Sequence, residues 1–167
     1  LVLAWPAIIF PQMTMLSQSE IFDAARKAHF AVTLHEAADF EGMRRAGRLA
    51  AEVLDLLVPL VKPGVTTAAL DKVAYDYVIA HGAIPACLNY RGYRHTVCTS
   101  INHVVCHGIP NDKPLRDGDI VNIDVTVILD GWHGDTSRMY PVGDVKRKAE
   151  RLVEITYESM MRGIAAV

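Results

Sequence analysis

Several features that mark common protein classes are missing from this chain. It has three cysteines, Cys87, Cys98 and Cys106, an odd number with no C-x-x-C spacing. That argues against a disulfide framework and a thiolate zinc site, and it fits a reducing compartment. Each thiol is expected to act as a small buried hydrophobe. The apolar opening LVLAWPAIIFPQ is too short to cross a bilayer. It also lacks the basic start and small-residue cleavage site of a secretion signal. A formal net charge of −2 leaves no electrostatic footprint for nucleic acid or an anionic membrane surface. G-x-S-x-G, the P-loop, H-E-x-x-H and G-x-G-x-x-G are all missing, so nucleophilic serine or thiol chemistry has no positive support. No internal repeat or low-complexity segment stands out.

What is present suits one globular domain with a real core: 167 residues, 51% hydrophobic and 22% charged. The chain opens on Leu1, with Met13 and Met15 close behind. Residues 1–12, and by extension 1–16, are read as an extraneous or disordered leader, and 17–38 as an N-terminal extension. Within the extension, 19–37 is weakly helical in pattern, with Ser19 as a possible N-cap. Over 39–58, Met43, Ala46, Leu49, Ala50, Val53, Leu54 and Leu57 recur at three and four, which predicts an amphipathic helix. Thr66 or Thr67 caps a second helix running to about His81, with Leu70, Val73, Ala74, Tyr77 and Val78 on its apolar face and Gly82 as its stop. From 83 to 142 the pattern breaks into short strands and loops. A last helix from about 145 places Leu152, Ile155, Met160 and Ile164 on one face. This order predicts an α+β class with an antiparallel sheet and covering helices.

The stretch NIDVTVILDGWHGDTS, residues 122–137, carries the most chemistry. Its first half is rich in β-branched residues and predicts a strand. Asp130-Gly131 is a two-residue hairpin signal, since a type I′ turn needs positive φ at both positions. With those two at the turn, Leu129 faces Trp132 and Thr126 faces Asp135. Asp124 lies two residues further along, so Asp124, Thr126 and Asp135 share one face of the ribbon, as does His133. Asp124 and Asp135 become diagonal neighbours about 7–8 Å apart. That gap suits two carboxylates converging on a metal, or on a metal pair about 3.5–4 Å apart. The plainer alternative has Asp135 capping a turn and Asp124 on a solvated sheet face. Against it stand the strong strand formers around both residues and the repulsion of like charges on one face.

His107, in VCHGIP, sits where Gly108 and Pro110 force an irregular backbone at a strand end. Such side chains often line a cleft; the alternative is a hydrogen-bonded histidine packed there. His133 could be a ligand, a supporting partner or a turn residue. His95 and His103 are weaker candidates. Cys106-His107 is not a catalytic dyad signal, because neighbours along a strand point to opposite faces.

Residues 97–143, VCTSINHVVCHGIPNDKPLRDGDIVNIDVTVILDGWHGDTSRMYPVG, resemble the type I methionine aminopeptidases, with CHGIP, DGDIVNIDVT and GWHGDTS close to that family's motifs in order and spacing. Weaker similarity covers 39–167. The resemblance implies a pita-bread α+β fold of two related halves around two divalent metal ions (Co, Mn, Fe or Zn). It implies hydrolytic removal of the initiator methionine from nascent polypeptide N-termini in the cytoplasm, with the ribosome as a further candidate partner and neither nucleic acid nor membrane contacted directly. By motif position, Asp124 and Asp135 match metal ligands, and His107 matches the catalytic, substrate-binding histidine. Cys87, Tyr90, Tyr93 and Cys98 match the methionine pocket, and Asn102 a position near a monovalent cation. The family site also needs a histidine and two glutamates from its second half. Glu150, Glu154 and Glu158, on a solvated helix face, do not replace them. Residues 39–167 are thus expected to be the N-terminal half of the catalytic domain, binding metal weakly and turning over no substrate unaided. Two alternatives remain open here: a non-catalytic pita-bread-like binding module, and a related metallo-aminopeptidase or prolidase.

Overall fold

A computed structural model describes Ser17 and residues 34–167. The leader and extension expected over 1–38 lie outside the described residues, apart from Ser17 and 34–38. Ala37–Val167 form one compact unit.

The first helix, α1, spans Ala37–Leu57. Six of the seven residues expected on its apolar face are buried, from Ala46 to Leu57. Met43 instead remains 53% exposed. On the same turn, Gly42 lies against the Trp132 ring, where a Cβ would sit 2.3 Å from Nε1. Met43 keeps the phase of Ala46 and Ala50 but precedes Ala46, where the buried run of α1 begins. Pro59, without an N–H to continue the helix, falls in a 3₁₀ turn at Val58–Leu60. The second helix, α2, spans Thr67–Ala80, and the Thr66 hydroxyl accepts from the Ala69 amide at its start. Its end is a Schellman motif: Gly82 has φ 69°, its amide donates to Ile79, and Ala83 donates to Val78.

Four antiparallel strands follow: β1 (Ile84–Pro85), β2 (Val97–Ile101), β3 (Ile120–Leu129) and β4 (Trp132–Pro141). β3 is the hub. It pairs with β4 along its whole length, with β2 over 121–125 and with β1 over 127–128. The alternation of β3 divides its residues between two environments. Val121, Ile123, Val125 and Val127 are fully buried in a core completed by Leu49, Val53 and Leu57 of α1 and Leu70, Ala74 and Val78 of α2. α1 packs closely over β4: a Cβ at Gly134 would lie 2.1 Å from the Ala46 carbonyl oxygen. The Tyr140 hydroxyl donates to the Leu54 carbonyl at 2.7 Å, which satisfies a group the helix would otherwise share only with its own ladder. Burial pushes the Tyr140 phenol up to about 12.

The last helix, α3, spans Arg147–Ala165 and buries none of its residues. Leu152, Ile155, Met160 and Ile164, expected on one apolar face, are all exposed, as are Glu150, Glu154 and Glu158. Among the described residues, no helix is long and apolar enough to cross a membrane. The architecture is α+β.

Candidate metal centre and adjoining pocket

The β3–β4 hairpin turns at Asp130 (φ 51°) and Gly131 (φ 83°), both in the left-handed region. Leu129 faces Trp132 and Thr126 faces Asp135, the register expected from the turn signal. Asp124 is opposite Ser137 on β4 and Cys98 on β2. Asp124, Thr126, Asp135 and Cys98 therefore share the sheet face turned away from α1 and α2. The Thr126 hydroxyl donates to Asp135 Oδ1 at 3.1 Å. Asp124 is half-buried and Asp135 exposed. Burial raises the Asp124 carboxyl above the ordinary carboxylate range. The charge of Asp135 adds to this, and His107 opposes it. The half-buried Asp124 carboxylate and its neighbour form an oxygen donor pair that a cation relieves. Among the described residues no three His, Cys, Asp or Glu side chains gather as a metal cluster, so Asp124 and Asp135 stand as a pair. The donor set fits part of the shell of a divalent ion, not a closed one.

A cavity of about 510 Å³ adjoins this pair. Five of its lining residues, Cys87, Tyr90, Tyr93, Cys98 and His107, are the pocket residues singled out in the sequence. They come from three separate segments. The first is tied to β3 where the Ala86 amide donates to the Thr126 carbonyl at 2.9 Å. It then runs through a 3₁₀ turn at Tyr90–Gly92 flanked by Asn89, with φ 68°. Tyr93 is anchored by its hydroxyl, which donates to the Val97 carbonyl at 2.8 Å. Cys98 follows on β2. The third segment is the CHGIP strap. His107 is exposed, with φ 54°. Gly108 lies flat on β2: its amide donates to the Ser100 hydroxyl at 3.1 Å, and its carbonyl accepts from Thr99 at 2.7 Å. A Cβ there would stand 2.1 Å from the Thr99 oxygen. Further on, Asn111 is clipped to the start of α2 through Thr67 and Ala68.

The pocket is soft and neutral. Burial raises both the Cys87 and the Cys98 thiol. Burial also raises the Tyr93 phenol. Thr126 and His133, assigned to the aspartate face by parity, line the same cavity, joined by Ala86 and Ile109, which periodicity does not single out. The expectation that all three cysteines are buried is corrected. Cys98 is buried and Cys87 half-buried, but Cys106 is exposed, because it lies on the strap leaving β2. Asn102 directly follows β2, with φ 52°. Its amide nitrogen donates to Asp119 and its oxygen accepts from Ile120, so it closes the excursion between β2 and β3 and does not line the pocket. His95 meets Asp71 at 3.1 Å, and Asp71 also accepts from the Thr96 and Val97 amides. No sequence pattern points to Asp71, since its partners lie 24 to 26 residues away.

A strand-borne aspartate pair thus lies beside an apolar pocket on the open face of an antiparallel sheet. Residues 41–167 match metallopeptidase family M24, and the chain belongs to that family. Its relatives carry a more particular name. It is 61% identical over 136 residues to a methionine aminopeptidase of Rickettsia prowazekii, covering 81% of this chain and 52% of that protein. It is 55% identical over 139 residues to the methionine aminopeptidase of Escherichia coli, covering 82% and 53%. The crystal structure of the Rickettsia enzyme superposes with a TM-score of 0.78, covering 80% of this chain and 54% of that one. The Thermotoga maritima methionine aminopeptidase, 28% identical, also gives 0.78, covering 82% and 55%. The chain spans about half the length of the curated relatives it matches. An Xaa-Pro dipeptidase from Bacillus anthracis, 17% identical with a TM-score of 0.65 and covering 89% and 44%, shares the pita-bread fold alone. Family membership implies the use of divalent metal.

Proposed function

We propose that this chain is the half of a methionine aminopeptidase that carries the methionine pocket and two of the metal ligands. The complete enzyme removes the initiator methionine from nascent polypeptides by hydrolysis. The observation that carries the reading is the junction of the Asp124–Asp135 pair with the cavity lined by Cys87, Tyr90, Tyr93, Cys98 and His107. Substrates are the N-termini of nascent chains in the cytoplasm, with the ribosome as a further candidate partner. Neither nucleic acid nor membrane is contacted directly.

Asp124 and Asp135 would hold divalent metal, read as two ions of Co, Mn, Fe or Zn in the complete site. Such ions supply an acidified water and polarise a carbonyl. The chain's own residues do the rest. The two thiols, protonated because burial raises them, and the tyrosine rings offer a polarisable wall to an unbranched thioether. His107 stands at the cavity with a ring nitrogen free to hydrogen-bond the scissile amide and to stabilise charge developing on its oxygen. Its left-handed backbone and the Gly108 contact with β2 fix where that ring starts. Asn102, at the β2 exit, is read as lying near a monovalent cation.

With two carboxylate ligands, the chain by itself binds Mn²⁺ weakly and turns over no peptide. Calorimetric titration with Mn²⁺, alongside an assay of Met-Ala-Ser hydrolysis, tests both statements. Weak binding that disappears when both aspartates become asparagine supports the reading. Binding that survives the double change overturns the metal assignment, and clear turnover by the pure chain overturns its half-site character.

A further inference from the structure

We propose that Asp71, on α2, is the positioning residue for the Tyr93–Cys98 wall of the pocket. The functional meaning of that wall rests on the methionine-pocket reading above.

The Asp71 side chain is 14% exposed and is not among the cavity's lining residues. Its Oδ1 accepts from two consecutive amides, Thr96 at 2.7 Å and Val97 at 2.9 Å. Its Oδ2 meets His95 Nδ1 at 3.1 Å. One carboxylate thereby engages three successive residues just before β2 delivers Cys98. Charge-assisted bonds to two adjacent amides hold both peptide planes. Two links run from there to the cavity. The Val97 carbonyl takes the Tyr93 hydroxyl at 2.8 Å, and the Tyr93 ring meets His95 edge-on at 5.7 Å.

Past the Ala86–Thr126 tie at its start, the loop that carries the tyrosines is held by short-range bonds. Asn89, Arg91 and Gly92 all have positive φ, outside any regular ladder. Its backbone bonds are local: Leu88 donates to the Pro85 carbonyl, Tyr90 to that of Cys87, Asn89 to that of Tyr93 and Tyr93 to that of Tyr90. A loop of this kind takes its place from its anchored ends. One end is tied to β3 through Ala86; at the other, the anchor is a helix side chain that reaches across to the strand entrance.

The test uses Asp71→Leu and Asp71→Asn in the full chain. Asparagine keeps an acceptor for the two amides but loses the charge; leucine loses both. Amide hydrogen exchange at Asn89, Tyr93, Thr96 and Val97 is followed, together with calorimetric binding of Met-Ala-Ser and of Mn²⁺. Exchange at Thr96 and Val97 accelerates at least about tenfold in the leucine variant and less in the asparagine variant. The acceleration spreads to Asn89 and Tyr93. Peptide binding weakens in the same order, while Mn²⁺ binding stays at the wild-type value. Acceleration confined to Thr96 and Val97, with peptide binding unchanged, overturns the proposal. If the leucine variant does not fold, the asparagine variant decides by the same criteria. If the wild-type chain binds no Met-Ala-Ser, the methionine-pocket reading fails. The spread of exchange to Asn89 and Tyr93 then still decides the positioning role, for it or against it.

Discussion

Along β3, Val121, Ile123, Val125 and Val127 lie fully buried in the core that α1 and α2 complete, while Asn122, Asp124, Thr126 and Ile128, one residue out of step, are only partly covered. The same ten-residue strand therefore serves two masters. One row is apolar, tightly packed and electrostatically silent. The other brings like charges together, exposes polar atoms and borders a cavity. Local stability is concentrated in the first row, so the second can hold an arrangement that folding alone would not choose.

The sharpest way to break this contrast is a cut into the buried row. Ile123→Ala removes a fully buried side chain from the centre of the sheet and should cost about 2–5 kcal/mol by urea denaturation. A cost below that of a surface change would mean the row is not the core. Next comes Gly134→Ala, whose new methyl would collide with the Ala46 backbone. Overpacking of this kind costs about 1–3 kcal/mol, and it should appear as a lowered melting temperature. The open row should respond with the opposite sign. Asp124→Asn relieves both the burial of a charge and its repulsion by Asp135, and should stabilise the metal-free chain by about 0.5 kcal/mol while weakening Mn²⁺ binding. A loss of stability there would erase the contrast.

The smallest effect is in pH. Asp124 titrates above the ordinary carboxylate range, so the folded state favours its protonated form. Stability from this group is complete below the ordinary value and is lost as pH rises through the raised one. Mn²⁺ affinity runs the other way, falling as pH drops through that raised range, because the proton and the ion compete for the same oxygens. A flat Mn²⁺ titration across that range would show that Asp124 is not a ligand.

The hairpin was legible in sequence for a physical reason. Asp130-Gly131 pins one point of the ribbon, and a strand's period of two then determines every facing pair down to Asp124. The two packed helices were legible through their repeats and through Thr66 and Gly82. Met43 has the right phase for the apolar face, but a repeat does not say where along the helix burial begins. Cys106 was misjudged because residue type predicts burial only where a regular element holds the residue. The pocket drew on three segments, and no local pattern joins Cys87 to His107; only resemblance named them together. Asp71 escaped notice altogether, since a helix-surface aspartate looks the same whether it meets water or the entrance of a distant strand.

The tight turn at Asp130 and Gly131 has a consequence for how this gene can drift. Gaining or losing one codon there would rotate the returning strand by half a period and send Asp135 towards the helices, whereas a change of two codons would keep it on its side. Natural length variation at this bend should accordingly come in even steps.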